Sequence, residues 1–474
     1  MLAQGVCVCK AGREESAVMS SISPSNPLAV PPGIATSIAE YAEAVANNPN
    51  WMIAQFTALT ILSGVCGRGY NTYTGAGLNQ YNAMLADTGA GKDTIDKVTG
   101  ALFESIATIK EAAGLIGPGF IQSAPGLLRA LEANPALIAG QGEFGKRLAE
   151  WNNPRNPNGM AIQVLLREVW GRSGKSKALG SSAYADTGKN TARILSPALT
   201  IAAEGTRDEF YQVLDDGIVA GGLLPRFNIF EYDGERAYSQ NDNAMLPVPQ
   251  ALATHFGNIV AHSLSLAHRG SPCVVPADEQ ARLLLKAFDD ECTDLINAGG
   301  EVTKQLWNRA HLKALKFASL SAISWNCYNP LITFADATWA ISLIRFQTER
   351  LIGKFDRNEV GAVEGDEGKQ RAAVLRIVAE YMSRDHAGLA KYDVPVEMHR
   401  RGVVTHSYLS RRLATLPAFS KDRIGATSAL KRVIGRLLED DELREIPPKQ
   451  MTDTFGSKPK AYVMANSKTF LSAL

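Results

Sequence analysis

An α/β core flanked by helical regions and followed by a small basic domain is the fold this sequence predicts. Three observations carry that expectation. Short apolar runs at 81–86, 136–140 and 197–203 alternate with helical pattern, as in a mostly parallel sheet covered by helices. Charge is divided unevenly: residues 371–474 hold 18 Lys and Arg against 11 Asp and Glu, whereas residues 1–370 hold 31 against 37. A net charge of +1 therefore conceals a basic C-terminal part, which points to an acidic polymer as partner. Between the two, FDRNEVGAVEGDEGKQ (355–370) loses apolar periodicity and gains acid and glycine, the composition of a linker.

Taken in order, residues 1–35 (with SSISPSNPLAVPPG) read as a mobile tail, and 36–75 as a helical segment broken at Asn47–Asn50. Residues 76–235 form the α/β core, 236–354 a helical subdomain with amphipathic runs at 277–297, 303–325 and 334–352, and 371–474 the basic domain. Trp51 to Cys66 is the longest apolar stretch. Gln55, Thr57, Thr60 and Ser63 interrupt it, so it reads as a buried helix rather than a membrane span. The six cysteines (Cys7, Cys9, Cys66, Cys273, Cys292, Cys327) show no C-x2-C spacing, no H-x3-H pair occurs, and no signal peptide precedes them. The expectation is a cytoplasmic protein with reduced thiols, no His- or Cys-built metal site and no membrane partner.

The core's chemistry begins at Ala86-Asp87-Thr88-Gly89-Ala90-Gly91-Lys92-Asp93-Thr94. A strand, a glycine turn, a lysine and a helix start let backbone N–H groups curl around phosphates while the lysine neutralises β/γ charge. The segment is close to a P-loop, with Thr88, Gly89, Ala90, Gly91, Lys92, Asp93 and Thr94 as the nucleotide-binding residues; a plain Gly-rich turn is the other reading. It departs in having Ala86 for the first glycine and Asp93 for the usual Ser/Thr metal ligand. A second GxxxxGK-like stretch, Gly171 to Ser176, follows a helical pattern and is set aside as a decoy.

A P-loop enzyme also needs a strand-end carboxylate for Mg²⁺ and the attacking water. Glu143, after the run at 136–140, stands where a catalytic glutamate would, with Gly142 in the place of a metal-binding Asp. Asp93 is then expected to supply the missing carboxylate, making Asp93 and Glu143 the metal residues; weak hydrolysis competes with that swap, and a surface acid competes for Glu143. Thr206, ending the third run, suits a contact to water or γ-phosphate. Arg226, on the turn Gly221-Gly222-Leu223-Leu224-Pro225-Arg226-Phe227, suits a finger into a neighbouring subunit or, equally, a helix-end cap.

With AxxxxGK, the stretches QSAPGLLRALEANPALIAGQGEFGKRLAEW, PALTIAAEGT, GGLLPRF and NRAHLKALKFASL resemble, over about residues 35–350, the YfjI-like family of phage, prophage and plasmid proteins. That family has Gly-Lys-Ser and Asp-Glu where this chain has Gly-Lys-Asp and Gly-Glu. The resemblance implies a P-loop NTPase of the AAA+ or replicative-helicase type, using ATP and Mg²⁺ in a homo-oligomeric ring, expected as a hexamer, with Arg226 acting in trans. It also implies Arg309 as a second sensor in cis, unless that arginine is only a solvated residue on an amphipathic helix.

The basic domain reads as a winged helix without that resemblance. Helices are expected at Ala372–Met382, His406–Leu416 and Thr427–Leu438, and a wing hairpin from Leu443–Pro447 and Lys460–Ala465 about the turn Gly456-Ser457-Lys458-Pro459. Between Arg400 and Arg436 lie nine basic residues (Arg400, Arg401, Arg411, Arg412, Lys421, Arg423, Lys431, Arg432, Arg436) and one acid, Asp422. That is the footprint of duplex DNA binding, with Lys431 and Arg432 entering a groove; a protein-contact surface is the alternative. In the core, loop 171–193 offers Lys175, Lys177 and Lys189, with Tyr184 for stacking, to single-stranded DNA in a ring channel; a solvated loop is the other reading. The function expected is an ATP-dependent DNA motor, a replicative helicase. An initiator or regulator that uses ATP for assembly is the first alternative, and a nucleotide kinase the second.

Overall fold

The computed structural model describes residues 33–181, 190–240, 246–357, 359–360, 365–420, 422 and 425–465. The chain divides into two compact units, Met1–Val360 and Gly361–Leu474. Mixed α/β structure with a parallel sheet characterises the first.

The first unit opens with helices Ile34–Val45 and Trp51–Cys66. The break between them has a local cause: the Asn50 side chain accepts from the backbone N–H groups of Met52 (2.9 Å) and Ile53 (3.2 Å), capping the second helix. All of that helix except Trp51 is buried, which explains an apolar run too interrupted for lipid. Gly64 within it must stay small, since a Cβ there would lie 2.0 Å from the Ile138 side chain. A short strand β1 (Tyr70–Thr72) follows and pairs in parallel with a later one.

The core strands are β2 (Tyr81–Leu85) and β3 (Ala136–Gln141); a two-stranded ribbon β4 (Ala178–Leu179) and β5 (Ile194–Leu195); then β6 (Ala198–Gly205) and β7 (Phe227–Glu231). The sheet order is β3-β6-β2-β7, every pair parallel. A parallel bridge between Ile116 and Ile138 adds a rudimentary edge beside β3. Side chains alternate across the sheet with period two. Tyr81, Ala83, Leu85, Leu137, Ala139, Leu199, Ile201, Ala203, Phe227 and Ile229 enter one core, with helices Phe144–Asn152 and Pro157–Arg172. Met84, Ile138 and Phe230 enter another, with the N-terminal helices. That second face also buries Asn82 and Asn228: Asn228 Nδ2 donates to Asn82 Oδ1 (2.8 Å), and Asn82 Nδ2 donates to the Thr60 hydroxyl (3.0 Å). Because unpaired polar groups here would cost several kcal/mol, about 2–7 each, the ladder ties the register of β2 and β7 to one helix face.

Residues beyond the sheet are helical: Gln250–His268, then β8 (Cys273–Val275) on β1, then Glu279–Ala298, Glu301–Trp307, Ala310–Trp325 and Phe334–Asp356. No helix among the described residues is long and apolar enough to cross a membrane.

The second unit has helices Gly365–Ser383, His406–Leu413 and Ala426–Glu439 with β9 (Val404–Thr405), β10 (Leu443–Glu445) and β11 (Ala461–Met464). Its sheet is antiparallel in the order β10-β11-β9.

Several expectations are corrected. β7 and the β1–β8 pair went unread in the sequence. The boundary between the two units, after Val360, falls within the stretch 355–370, whose ends are helical: one helix runs to Asp356 and the next begins at Gly365. The link between β10 and β11 is not a bare hairpin, because Pro448–Phe455 is a helix ending on Gly456 at φ 61°. Nearly all of the expected tail (1–32) lies outside the described residues, and the helical segment already begins at Ile34.

Candidate functional site

The segment 86–94 leaves the C-terminal end of β2 and enters helix Thr94–Ser105. Gly89 (φ 79°) and Gly91 (φ 90°) adopt left-handed backbone, which a side chain would strain. The Ala86 N–H donates to Gly205 O (3.2 Å), fastening the turn to the end of β6. The Thr94 hydroxyl donates to Gly91 O (2.7 Å), and Asp93 precedes the helix without capping it. Lys92 folds back, its Nζ donating to Ala86 O at 2.7 Å and Asp87 O at 3.5 Å. Ligands of parallel sheets gather at this carboxyl edge, and the helix start adds a positive dipole end.

The carboxylate that faces the turn is Glu204, which the sequence reading passed over. β6 lies directly beside β2, and Glu204 pairs in register with Met84. Burial raises its pKa, with Asp96 and Asp93 adding to the rise and Lys92 opposing it. Burial likewise lowers that of Lys92, against Glu204, Asp87 and Glu209. A Cβ on Gly142 would sit 3.9 Å from Glu204 Oε1, so the space left by the missing Asp at 142 faces Glu204. Asp93, by contrast, makes no cap bond.

Glu143 is turned elsewhere. It sits in the left-handed region (φ 50°, ψ 46°) before helix Phe144–Asn152, is mostly exposed, and pairs with Lys146 at 3.3 Å. For a non-glycine residue that backbone costs about 1 kcal/mol or more. Lys146 also reaches Glu209 (3.6 Å), so the pair belongs to a surface network. Among the described residues no group of three or more His, Cys, Asp or Glu is placed to hold a metal ion unaided. Asp93 lies at the start of helix Thr94–Ser105 and Glu143 pairs with Lys146, and Glu204, Asp93 and Thr94 are side chains near the turn that could complete a shell begun by phosphate oxygens.

Two further arginines border the turn. Arg207 holds both carboxylate oxygens of Asp87 at 2.9–3.2 Å. It follows Thr206, whose hydroxyl caps the next helix by accepting from Glu209 N (3.4 Å). Arg236, beyond β7, covers Gly89: a Cβ there would lie 3.1 Å from its Nη1. The same arginine donates to Asn48 Oδ1 (3.4 Å), at the break between the N-terminal helices.

Arg226 and Arg309 stand at the other edge of the sheet. Arg226 immediately precedes β7, donates to Gly222 O and lies 5.7 Å from the Trp170 ring; Arg309 lies 5.9 Å from the same ring. One strand of five residues separates that edge from the turn, on the order of 13 Å along β2 at 3.3 Å per residue. Arg309 is therefore not a second sensor on its own chain's 86–94 turn. Lys316 completes the group at 4.4 Å from Trp170, with its Nζ on Asn79 O (2.8 Å), while Lys313 Nζ donates to Phe227 O (2.7 Å). Both lysines are fully buried and pushed down to about 7 by burial, and Arg226 is lowered to about 10 by burial and by Arg309.

The other predicted contacts divide. Gly174 to Ser176 is a turn after a helix, as the decoy reading expected. Lys175 is exposed at the foot of the β4–β5 ribbon; Lys177 is half-buried, its pKa lowered by burial and Arg172. Lys189 and Tyr184 lie outside the described residues, as do Lys421 and Arg423. In the second unit Arg412 is held by Glu380 (2.5 Å), Arg411 by Asp393 (3.5 Å) and Arg432 by Asp422 (2.9 Å). Arg432 also donates to Gln370 Oε1 (3.0 Å), is about a third exposed, and lines the same groove as Lys431 and Arg436. Lys431 and Arg436 are exposed along a groove of about 470 Å³ on helix Ala426–Glu439.

No protein-family model matches this chain, and no curated protein matches it.

Proposed function

We propose that this chain is a P-loop ATPase with a C-terminal winged helix, working on DNA as a ring-forming motor of the YfjI-like kind. The observation that carries the reading is the 86–94 turn: a buried strand, two left-handed glycines, Lys92 over the loop and a helix start, all at the carboxyl edge of a parallel sheet. In that reading ATP lies with its β- and γ-phosphates on the N–H groups of residues 88–94 and on Lys92. Mg²⁺ bound with the nucleotide would be held by phosphate oxygens together with Thr94 and Asp93, supplying charge neutralisation at the γ-phosphate. Glu204 orients the attacking water, a role the sequence had assigned to Glu143. Arg226, at the far edge of the sheet, serves a neighbouring subunit.

The second unit supports the DNA half. Helices Gly365–Ser383, His406–Leu413 and Ala426–Glu439 beside a sheet ordered β10-β11-β9 support a winged-helix reading, in which the exposed Lys431 and Arg436 are the duplex-facing cations. The assembly-only reading has one favouring observation, the outward-turned Glu143 with no carboxylate at 142.

The test is ATP turnover by the full chain with and without single-stranded DNA. Lys92→Ala should abolish turnover, since the phosphates lose their mobile cation. Turnover retained in that variant removes the site from 86–94, and nucleotide binding without turnover, with or without DNA, moves the reading to an assembly switch.

A further inference from the structure

Lys92 and Arg207, the two cations closest to the start of the turn, are both spent on the turn itself. Lys92 donates to the carbonyls of Ala86 and Asp87. Arg207 places Nε and Nη2 on the Asp87 carboxylate, at 3.2 Å and 3.1 Å to one oxygen and 2.9 Å to the other. A carboxylate offers this fork two acceptor oxygens side by side, as a phosphate does. Arg207 cannot stray far from the turn, because Gly205, two residues before it, accepts the Ala86 N–H.

The Arg207–Asp87 pair is also made to part. The Asp87 side chain is 64% exposed, so the acid rehydrates in place once the arginine leaves. Arg350, near the same edge, is the contrast. Its partner Glu231 is 3% exposed and also accepts from the Tyr211 hydroxyl (2.6 Å), so withdrawing Arg350 would strand a buried charge. Arg236 is tied to a neutral amide, Asn48, and covers Gly89 from outside.

We propose that Arg207 is a ligand of the nucleotide's terminal phosphate, and that Asp87 occupies it until a triphosphate arrives. The inference rests on the nucleotide-site reading above and adds to it a residue that distinguishes ATP from ADP. Asp87 acts as a competitor: its carboxylate must be displaced, and its charge repels the incoming phosphates. Removing the charge at 87 therefore strengthens triphosphate binding, and removing the guanidinium at 207 weakens it selectively.

Equilibrium binding of ATP and of ADP, each with Mg²⁺, to the full chain tests this. Arg207→Ala should weaken ATP about tenfold, the worth of a hydrogen-bonded charge, while changing ADP less than about threefold. Asp87→Asn should tighten ATP by about threefold or more, and the double variant should lose that gain, because the two residues act through one contact. Arg207→Lys, which keeps the charge without the fork, should fall between. Equal losses for ATP and ADP in Arg207→Ala, or an Asp87→Asn variant that binds ATP no better, overturn the inference while Lys92-dependent binding leaves the site standing. Absence of saturable ATP binding by the unaltered chain overturns both.

Discussion

The two edges of the central sheet carry comparable numbers of cations and treat them in opposite ways. At the carboxyl edge Lys92, Arg207 and Arg236 stand among Asp87, Asp93, Asp96 and Glu204, and the contacts are hydrogen-bonded and partly exposed. At the amino edge Arg226, Arg309 and Lys316 converge on the Trp170 ring, and the charges acting on Arg226 are those of Arg309, Tyr81 and Arg167. The first edge is balanced by its own acids and carbonyls, so a ligand there must exchange existing contacts. Among the described residues no acid pairs with Arg226, Arg309 or Lys316 at the second edge, which an indole face and backbone carbonyls hold. A site that works alone needs the first arrangement; a surface that completes another molecule's site can have the second.

The largest effect expected from this comparison is at Arg226. If the amino edge serves a neighbour's nucleotide, Arg226→Ala should keep ATP binding and lose about 10³-fold in turnover. Mixing it with a Lys92→Ala chain should restore part of the activity, because one intact site can form between the two variants. Absence of rescue at every mixing ratio would leave Arg226 as a brace for the turn at Gly222, whose carbonyl it already holds, and the comparison would lose its functional half.

The carboxyl edge is sharpened by separating two glutamates. Glu204→Gln should reduce turnover by about 10²-fold with nucleotide affinity little changed, as for loss of a water-orienting base. Glu143→Gln should stay near the activity of the unaltered chain, since that side chain faces Lys146 and solvent. The reverse ranking would restore the strand-end role read from the sequence.

That pair shows where legibility stopped. The 86–94 turn was readable because strand, glycines, lysine and helix start are contiguous. So was the break at Asn47–Asn50, whose cause is a local cap. Glu204 was not, because its importance depends on β6 rather than β3 lying beside β2, and the pairing of Tyr81 with Ile201 spans 120 residues of chain. Arg309 was misjudged for the same reason, since the Trp170 ring that gathers it belongs to a distant helix. β7 has a local signal in Phe227, Ile229 and Phe230, directly after the Gly- and Pro-framed turn at 221–226. The helix Pro448–Phe455 was signalled too: a proline at its first position and a left-handed glycine just past its end are helix punctuation, and only the glycine was read, as a turn.

The smallest effect, and the one that tests the amino edge without any ligand, is in stability against pH. Lys313 and Lys316 are fully buried, donate to backbone carbonyls, and are pushed from the ordinary 10.5 down to about 7. Between pH 7 and 10.5 the unfolded chain therefore binds protons on these lysines that the folded chain does not. Stability rises with pH wherever the unfolded state holds more protons, so the contribution grows above about pH 7 and is flat below it, where both states are charged. Buried groups on the same unit, Cys66 with an ordinary value of 9.0 and Tyr81 with 10.0, are raised by burial and pull the other way once pH passes those values. The clean window is pH 7 to 9. Urea midpoints of the unaltered chain should climb across it, and those of a Lys313→Met, Lys316→Met variant should climb less, whatever the variant's absolute stability. Equal climbs would mean that both ammonium groups stay charged at neutral pH inside the protein. The amino edge would then hold two more full charges than its carbonyls suggest.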